Sequence, residues 1–156
     1  KAWVGYDENN LYVCFYCEEP YISKMNINKF NRDDDRIWMN DCVEVFISNP
    51  YYYPYYHFIV SPSNAQWDGI KVLNNNEAED KKWDGKWDSG VYIGDNFWTV
   101  EIAIPWENVS KKIKEGAMIR INFARNRTTE IKEISTWSQI ISVFGEPEHF
   151  GLIVIK

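Results

Sequence analysis

A chain of 156 residues, 45% hydrophobic and 26% charged, is long enough to bury one substantial core and too short to divide comfortably into two, so a single domain over residues 1–156 is expected. A net charge of −6 without any cluster of Lys and Arg excludes a phosphate-binding face, and no apolar run approaches the roughly 20 residues of a membrane span, so neither nucleic acid nor membrane is an expected partner. The aromatic share of 17% exceeds what a core of this size needs and puts some rings on the surface.

The chain opens at Lys1 rather than Met, as a piece of a longer or processed protein would, and runs within a few residues into the strand-like NNLYVCFYC. From there apolar residues recur with period 2 between turn residues, and sustained 3.6-residue periodicity is almost absent. The predicted strands are Leu11–Glu18, Asp41–Ser48, Tyr56–Ser61, Val91–Ile93, Phe97–Ile104, Ala117–Arg127 and Leu152–Ile155. The GDN at Gly94–Asn96 predicts a tight turn. In FWTVEIAIPW, Trp98, Val100, Ile102 and Ile104 should face inward, Thr99 and Glu101 outward, with Pro105 ending the strand. One short helix is predicted from Trp106 to about Lys114, stopped by Gly116. Short strands at this spacing predict an all-β antiparallel sandwich, jelly-roll-like, with at most that one helix. The cysteines Cys14, Cys17 and Cys42 cannot all pair within the chain and read as buried thiols.

The strand DCVEVFIS poses the chemical question. Val43, Val45 and Ile47 share one face and Cys42 and Phe46 the other, yet Glu44 stands between Cys42 and Phe46. A strand apolar on both faces lies inside a sheet covered on both sides, where an ionised Glu needs a donor or a cation. One candidate is Arg125, which follows Ile119, Ile121 and Phe123 on one face of its own strand and could meet Glu44 in a buried ion pair. The acidic run Asp33–Asp35, with Glu18, Glu19 and Asp41, offers oxygen ligands for calcium, without the spacing of an EF-hand loop. His57 and His149 read as a strand and a loop residue, with nothing in the sequence to join them as metal ligands. Hydrolytic chemistry would require two convergent carboxylates; Glu44 and Glu101 are both strand residues, but Glu101 follows the outward phase, so the two need not converge. Nor is there a G-x-S-x-G nucleophile motif.

In chain order, DENNLYVCFYCEEP, IWMNDCVEVFIS, YYHFIVSPSNAQWDG, WDSGVYIGDNFWTVEIAIPW, IRINFARNR and STWSQIISVFGEPEHFGLIVI resemble the family 9 carbohydrate-binding modules and their wider family-9-like group, over nearly the whole chain. Relative to that group, an N-terminal strand region containing a Gly and a Trp is expected to be missing. The resemblance implies an antiparallel β-sandwich that is not catalytic. It also implies a secreted, extracellular or cell-surface setting, a companion glycoside hydrolase such as a xylanase, glucan or xylan chain ends as ligand, and no functional cofactor beyond structural calcium. It places Trp38 at the first sugar-clamping position, Phe144 at the second, where the family has Trp, and Glu44 where a carboxylate bonds sugar hydroxyls. The expected site is Trp38 and Phe144 as walls with Glu44 and Arg125 as polar floor. Where sugar binders carry polar side chains, this chain has Ile59, Ala124 and Ile141, which makes a closed, purely structural domain one alternative. The other comes from haem-binding electron-transfer members of the same fold group, for which Met25, Met39, Met118, His57 and His149 would be the available ligands.

Overall fold

Alternating apolar side chains in this chain build two antiparallel sheets whose inner faces pack on each other. The computed structural model describes residues 1–72, 80–109 and 114–156. The strands are β1 (Ala2–Tyr6), β2 (Asn10–Glu18), β3 (Cys42–Ser48), β4 (Tyr55–Val60), β5 (Gln66–Lys71), β6 (Asp88–Ile93), β7 (Phe97–Pro105), β8 (Met118–Arg127), β9 (Glu133–Thr136) and β10 (Gly151–Val154). One sheet runs β1-β2-β7-β6; the other runs β10-β8-β3-β4-β5, with β9 also paired to β8. This is the predicted sandwich.

Its core follows from the alternation. Leu11, Val13, Phe15 and Cys17 from β2 and Trp98, Val100, Ile102 and Ile104 from β7 meet Val43, Val45 and Ile47 from β3 and Ile119, Ile121 and Phe123 from β8. Thr99 and Glu101 point away from this layer as expected, and the turn after Gly94 closes with its N–H on the Phe97 carbonyl, 2.8 Å. All three cysteines are free; Cys17 and Cys42 are buried and Cys14 is half-buried on the opposite face from Cys17.

Three strands lie where the sequence reading had none. β1 pairs along β2 from Ala2↔Phe15 to Tyr6↔Leu11, carrying Trp3 and Gly5. β5 extends the second sheet beyond β4, and β9 pairs with the end of β8. The helix begins at Trp106 as predicted and is described to Val109; the predicted continuation through 110–113 lies outside the described residues. Gly116 takes a φ of 82°, a conformation that favours glycine.

β3 is the central strand of its sheet and every one of its residues is buried. Its second face is not part of the main core. There, two small apolar clusters cover the sheet: Ile37, Cys42, Ile59, Ala65 and Trp67 at one end, and Phe46, Tyr55, Ala124 and Phe150 at the other. Along β3 and β4 alike the polar residue falls between them, Glu44 between Cys42 and Phe46, His57 between Tyr55 and Ile59.

Candidate functional site

Glu44 has its partner, and it is His57. β3 and β4 pair Glu44 with Ile59 and Phe46 with His57, so Glu44 and His57 are diagonal neighbours on one face. His57 Nε2 lies 2.8 Å from Glu44 Oε2, with the two side chains only 10% and 6% exposed. The imidazole is held from two sides, stacked on Phe46 at 4.0 Å between centroids and edge-on to Trp67 at 5.1 Å. Glu44 Oε1 faces the Cys42 thiol at 3.8 Å. Burial, reinforced by the negative field of Glu44, pushes that thiol well above its usual range, so Cys42 stays protonated and can donate to the carboxylate.

This pair sits at the floor of an open cavity of about 580 Å³. Trp38 lines it from the short 3-10 turn Ile37–Met39, Phe144 from the loop before β10, and Trp67 and Tyr55 from β5 and β4. Trp38 is 54% exposed, whereas its neighbour Ile37 is fully buried, so the turn is pinned by Ile37 and presents the indole to solvent. The turn is also tied to β8, because Asn126 Nδ2 donates to the Trp38 carbonyl at 2.8 Å. Phe144 packs at the edge of Phe46, 6.4 Å between centroids. Its loop is held by one carboxylate, since Glu146 accepts the backbone N–H groups of Ile141 at 2.6 Å, Ser142 at 2.9 Å and Val143 at 3.3 Å, and the Ser142 hydroxyl at 2.7 Å. Those donors hold the Glu146 carboxyl down at about 2.

Three of the four expected site residues, Trp38, Glu44 and Phe144, therefore line one cavity. Arg125 does not. In the register of β3 and β8, Glu44 pairs with Ala124 and Val43 with Arg125, so the guanidinium lies on the interior face of the sheet, opposite Glu44. Its nitrogen Nη2 is 3.4 Å from Glu19 Oε2 instead. Glu19 is fully buried and is held mainly by Arg127, whose Nε and Nη2 donate to the two carboxylate oxygens at 2.6 and 2.8 Å. Burial alone would raise the Glu19 carboxyl; the hydrogen bonds from Arg127, from the Tyr21 N–H and from Thr129 outweigh it and set the carboxyl below the ordinary range.

Of the positions where polar side chains were expected, Ile59 is buried in the cavity wall and Ala124 is buried beside Phe46. Ile141 is 79% exposed, and Ile140 lines the cavity in its stead. Sequence reasoning weighed His57 only as a strand residue or a metal or haem ligand, and missed it as the partner of Glu44 together with Trp67; the polar position between two apolar ones in YHFIV repeats the anomaly of VEVFI and was the available signal.

Of the acidic residues considered for calcium, Asp33, Asp34, Asp35, Glu19 and Asp41 have partners within the protein. Asp33 lies 3.6 Å from Arg32, Asp34 2.5 Å from Arg36 and Asp35 2.6 Å from Lys81. Asp41 accepts from the hydroxyls of Thr128 and Thr129, and no cluster of three His, Cys, Asp or Glu side chains suited to a metal occurs among the described residues. Of the residues considered as haem ligands, Met25 is buried in the main core and His57 is bound to Glu44 on the far side of the sheet. Glu101, on the outer face of the other sheet, is separated from Glu44 by the whole sandwich, so the two carboxylates cannot act on one bond.

The whole chain, residues 1–156, matches the Carbohydrate family 9 binding domain-like family. Against the endo-1,4-beta-xylanase A of Thermotoga neapolitana it is 25% identical over 154 residues, covering 97% of this chain but only 13% of that protein. Among solved structures, a protein of Bacteroides uniformis ATCC 8492 superposes with a TM-score of 0.76 at 16% identity, over 99% of this chain and 77% of that one. A family 9 carbohydrate-binding module of Caldicellulosiruptor kristjanssonii in complex with glucose superposes at 0.72 and 17% identity, over 99% and 75% of the two chains. The cellotriose complex superposes at 0.68 and 17%, over 98% and 72%. The two-sheet sandwich and the match along its entire length agree, and the chain belongs to the Carbohydrate family 9 binding domain-like family, a family of binding modules rather than catalysts.

Proposed function

We propose that this domain binds the end of a glucan or xylan chain in the cleft lined by Trp38 and Phe144, and that Glu44, oriented by His57, accepts hydrogen bonds from sugar hydroxyls. The observation that carries this reading is a half-exposed indole and a second ring lining one cavity over a buried carboxylate. A pyranose has apolar C–H faces and a polar rim, and this is the complementary arrangement. Each ring face contributes about 1 kcal/mol beyond the area it buries. Two faces and a few hydrogen bonds give binding of about −4 to −8 kcal/mol, in the millimolar to micromolar range. The solved neighbours in complex with glucose and cellotriose support the ligand class.

The chain spans about an eighth of the xylanase that it matches, which fits a module appended to a glycoside hydrolase that acts on extracellular polysaccharide. Held at a chain end, the module would raise the effective concentration of the catalytic domain at its substrate, a targeting effect with no chemistry of its own. Calorimetric titration with cellobiose and xylobiose, repeated on Trp38→Ala, tests the site. Heat that disappears in a folded Trp38→Ala protein supports it; no heat with any glycan overturns it.

A further inference from the structure

We infer that this domain carries a second glycan site, independent of the cleft: the outer face of the β1-β2-β7-β6 sheet takes an internal stretch of an extended, neutral polysaccharide chain. The alternation that turns Leu11, Val13, Val100 and Ile102 into the core turns the residues between them out to solvent. In register across the sheet these are Trp3, Cys14, Glu101 and Gly90 in one row, and Gly5, Tyr12, Ala103 and Asp88 in the next. A depression of about 610 Å³ lies over the two rows, and all four strands line it. Its depth comes from the small residues. A Cβ at Gly5 or Gly90 would meet no atom within 4 Å, so the space above both is open. Rings stand around it: Trp3 is 53% exposed and Tyr12 40%. Along the same face Tyr16 stacks on Phe97 at 4.9 Å between centroids, and Phe97 lies 6.1 Å from Tyr92.

The chemistry of this face identifies its occupant. Asp88 and Glu101 both line the depression, and among the described residues no hydrogen bond or ion pair engages either side chain. No Lys, Arg or His is among the described residues lining it, which excludes an anionic polymer. An apolar protein surface seated there would bury two uncompensated carboxylates. Sugar hydroxyls donate to those carboxylates, while the C–H faces of the rings lie on Trp3 and the tyrosines. The outward positions of these rows hold rings, hydroxyls, carboxylates and small residues, and no Leu, Ile, Val or Met. Exposed rings grouped around a depression mark a surface that is covered when the site is filled. Four strands about 4.8 Å apart span roughly 14 Å, which gives room for more than one pyranose ring. A chain laid across this face needs no free end.

The test is electrophoresis in native gels containing soluble xylan or a soluble mixed-linkage β-glucan, polymers whose internal residues far outnumber their ends, with the Trp38→Ala protein in which the cleft is disabled. The expected result is that Trp38→Ala is still retarded by at least one polymer. Adding Trp3→Ala or Tyr92→Ala to it should weaken that retardation about tenfold in the polymer concentration required, with an unchanged melting temperature because both rings stand in water. Trp3→Ala alone should leave the calorimetric titration with cellobiose as in the parent. Retardation of the parent but not of Trp38→Ala would overturn the second site and leave the cleft standing. Retardation of Trp38→Ala that survives both further substitutions would overturn it too, by placing the polymer elsewhere. Free migration of the parent in both gels would overturn the second site, and the cleft is then judged by cellobiose titration alone.

Discussion

Glu44 Oε2 and His57 Nε2 are 2.8 Å apart, on adjacent strands, between two apolar clusters that cover the outer face of the same sheet. The pair is therefore both a solution to the burial of Glu44 and the way its carboxylate is aimed. Replacing Glu44 by Gln keeps the volume and removes the charge. The expected loss of stability is about 1.5–3 kcal/mol, the size of one buried hydrogen bond to a charged group, while sugar binding falls below detection. Denaturant unfolding and calorimetry on Glu44→Gln, His57→Gln and the double variant check this; a double variant no worse than either single one shows that the residues act as a unit.

Trp38 stands apart from that pair, because its side chain is half in water and its turn is secured by Ile37 and by a bond from Asn126 to its main-chain carbonyl. Trp38→Ala leaves both anchors in place. Its midpoint of thermal unfolding should move little, corresponding to no more than about 0.5 kcal/mol, while the heat of titration with cellobiose disappears. A melting temperature that falls by many degrees would make Trp38 a packing residue instead.

The sandwich was legible because β2, β3, β7 and β8 alternate cleanly, and the misplaced carboxylate of Glu44 was legible against that alternation. Its partner was not. β3 is apolar on both faces, and nothing in DCVEVFIS says which face looks at the other sheet; Val43, Val45 and Ile47 do, together with Arg125, so Glu44 looks outward. β5 was hidden because Asp68 and Gly69 in QWDGIK read as turn residues. Asp68 is buried in hydrogen bonds to Trp87 at 2.6 Å and the Gly85 N–H at 3.2 Å, and a Cβ at Gly69 would lie 2.8 Å from the Trp67 ring that supports His57. β1 was hidden because it is a wholly exposed edge strand and shows no alternation of burial to read.

Arg127 and Glu19 form a bidentate pair with side chains 7% and 0% exposed, and Arg125 only touches it. Removing one member leaves the other charge buried, so Glu19→Gln or Arg127→Met should cost about 3 kcal/mol. Arg125→Gln, on the face opposite the cleft, should leave sugar binding unchanged. The folded Glu19 carboxyl titrates below its ordinary value of 4.5. Its contribution is therefore complete above that pH and is lost as pH falls through the lower folded value. Unfolding free energies across acid pH check the sign: the difference between the parent and Glu19→Gln should shrink on acidification.

Glu146 provides the sharpest separation of binding from folding. It is a loop carboxylate, yet it gathers three successive N–H groups and a hydroxyl and so fixes the segment that carries Val143 and Phe144 into the cleft. Its carboxyl lies at about 2 in the folded protein against an ordinary 4.5, so the ordering it provides is intact above about pH 4.5 and is released as pH falls toward 2. Glu146→Ala releases the same loop at neutral pH while the sheets, which its hydrogen bonds to Ile141, Ser142 and Val143 do not reach, stay folded. The expected outcome is a parent-like far-ultraviolet spectrum and cooperative melt, with affinity for cellobiose or xylobiose reduced about tenfold through the cost of ordering the Phe144 wall on binding. Glu146→Gln, which keeps an acceptor oxygen but not the charge, should fall between the two. Unchanged affinity in Glu146→Ala would mean that Phe144 is not a wall of the site.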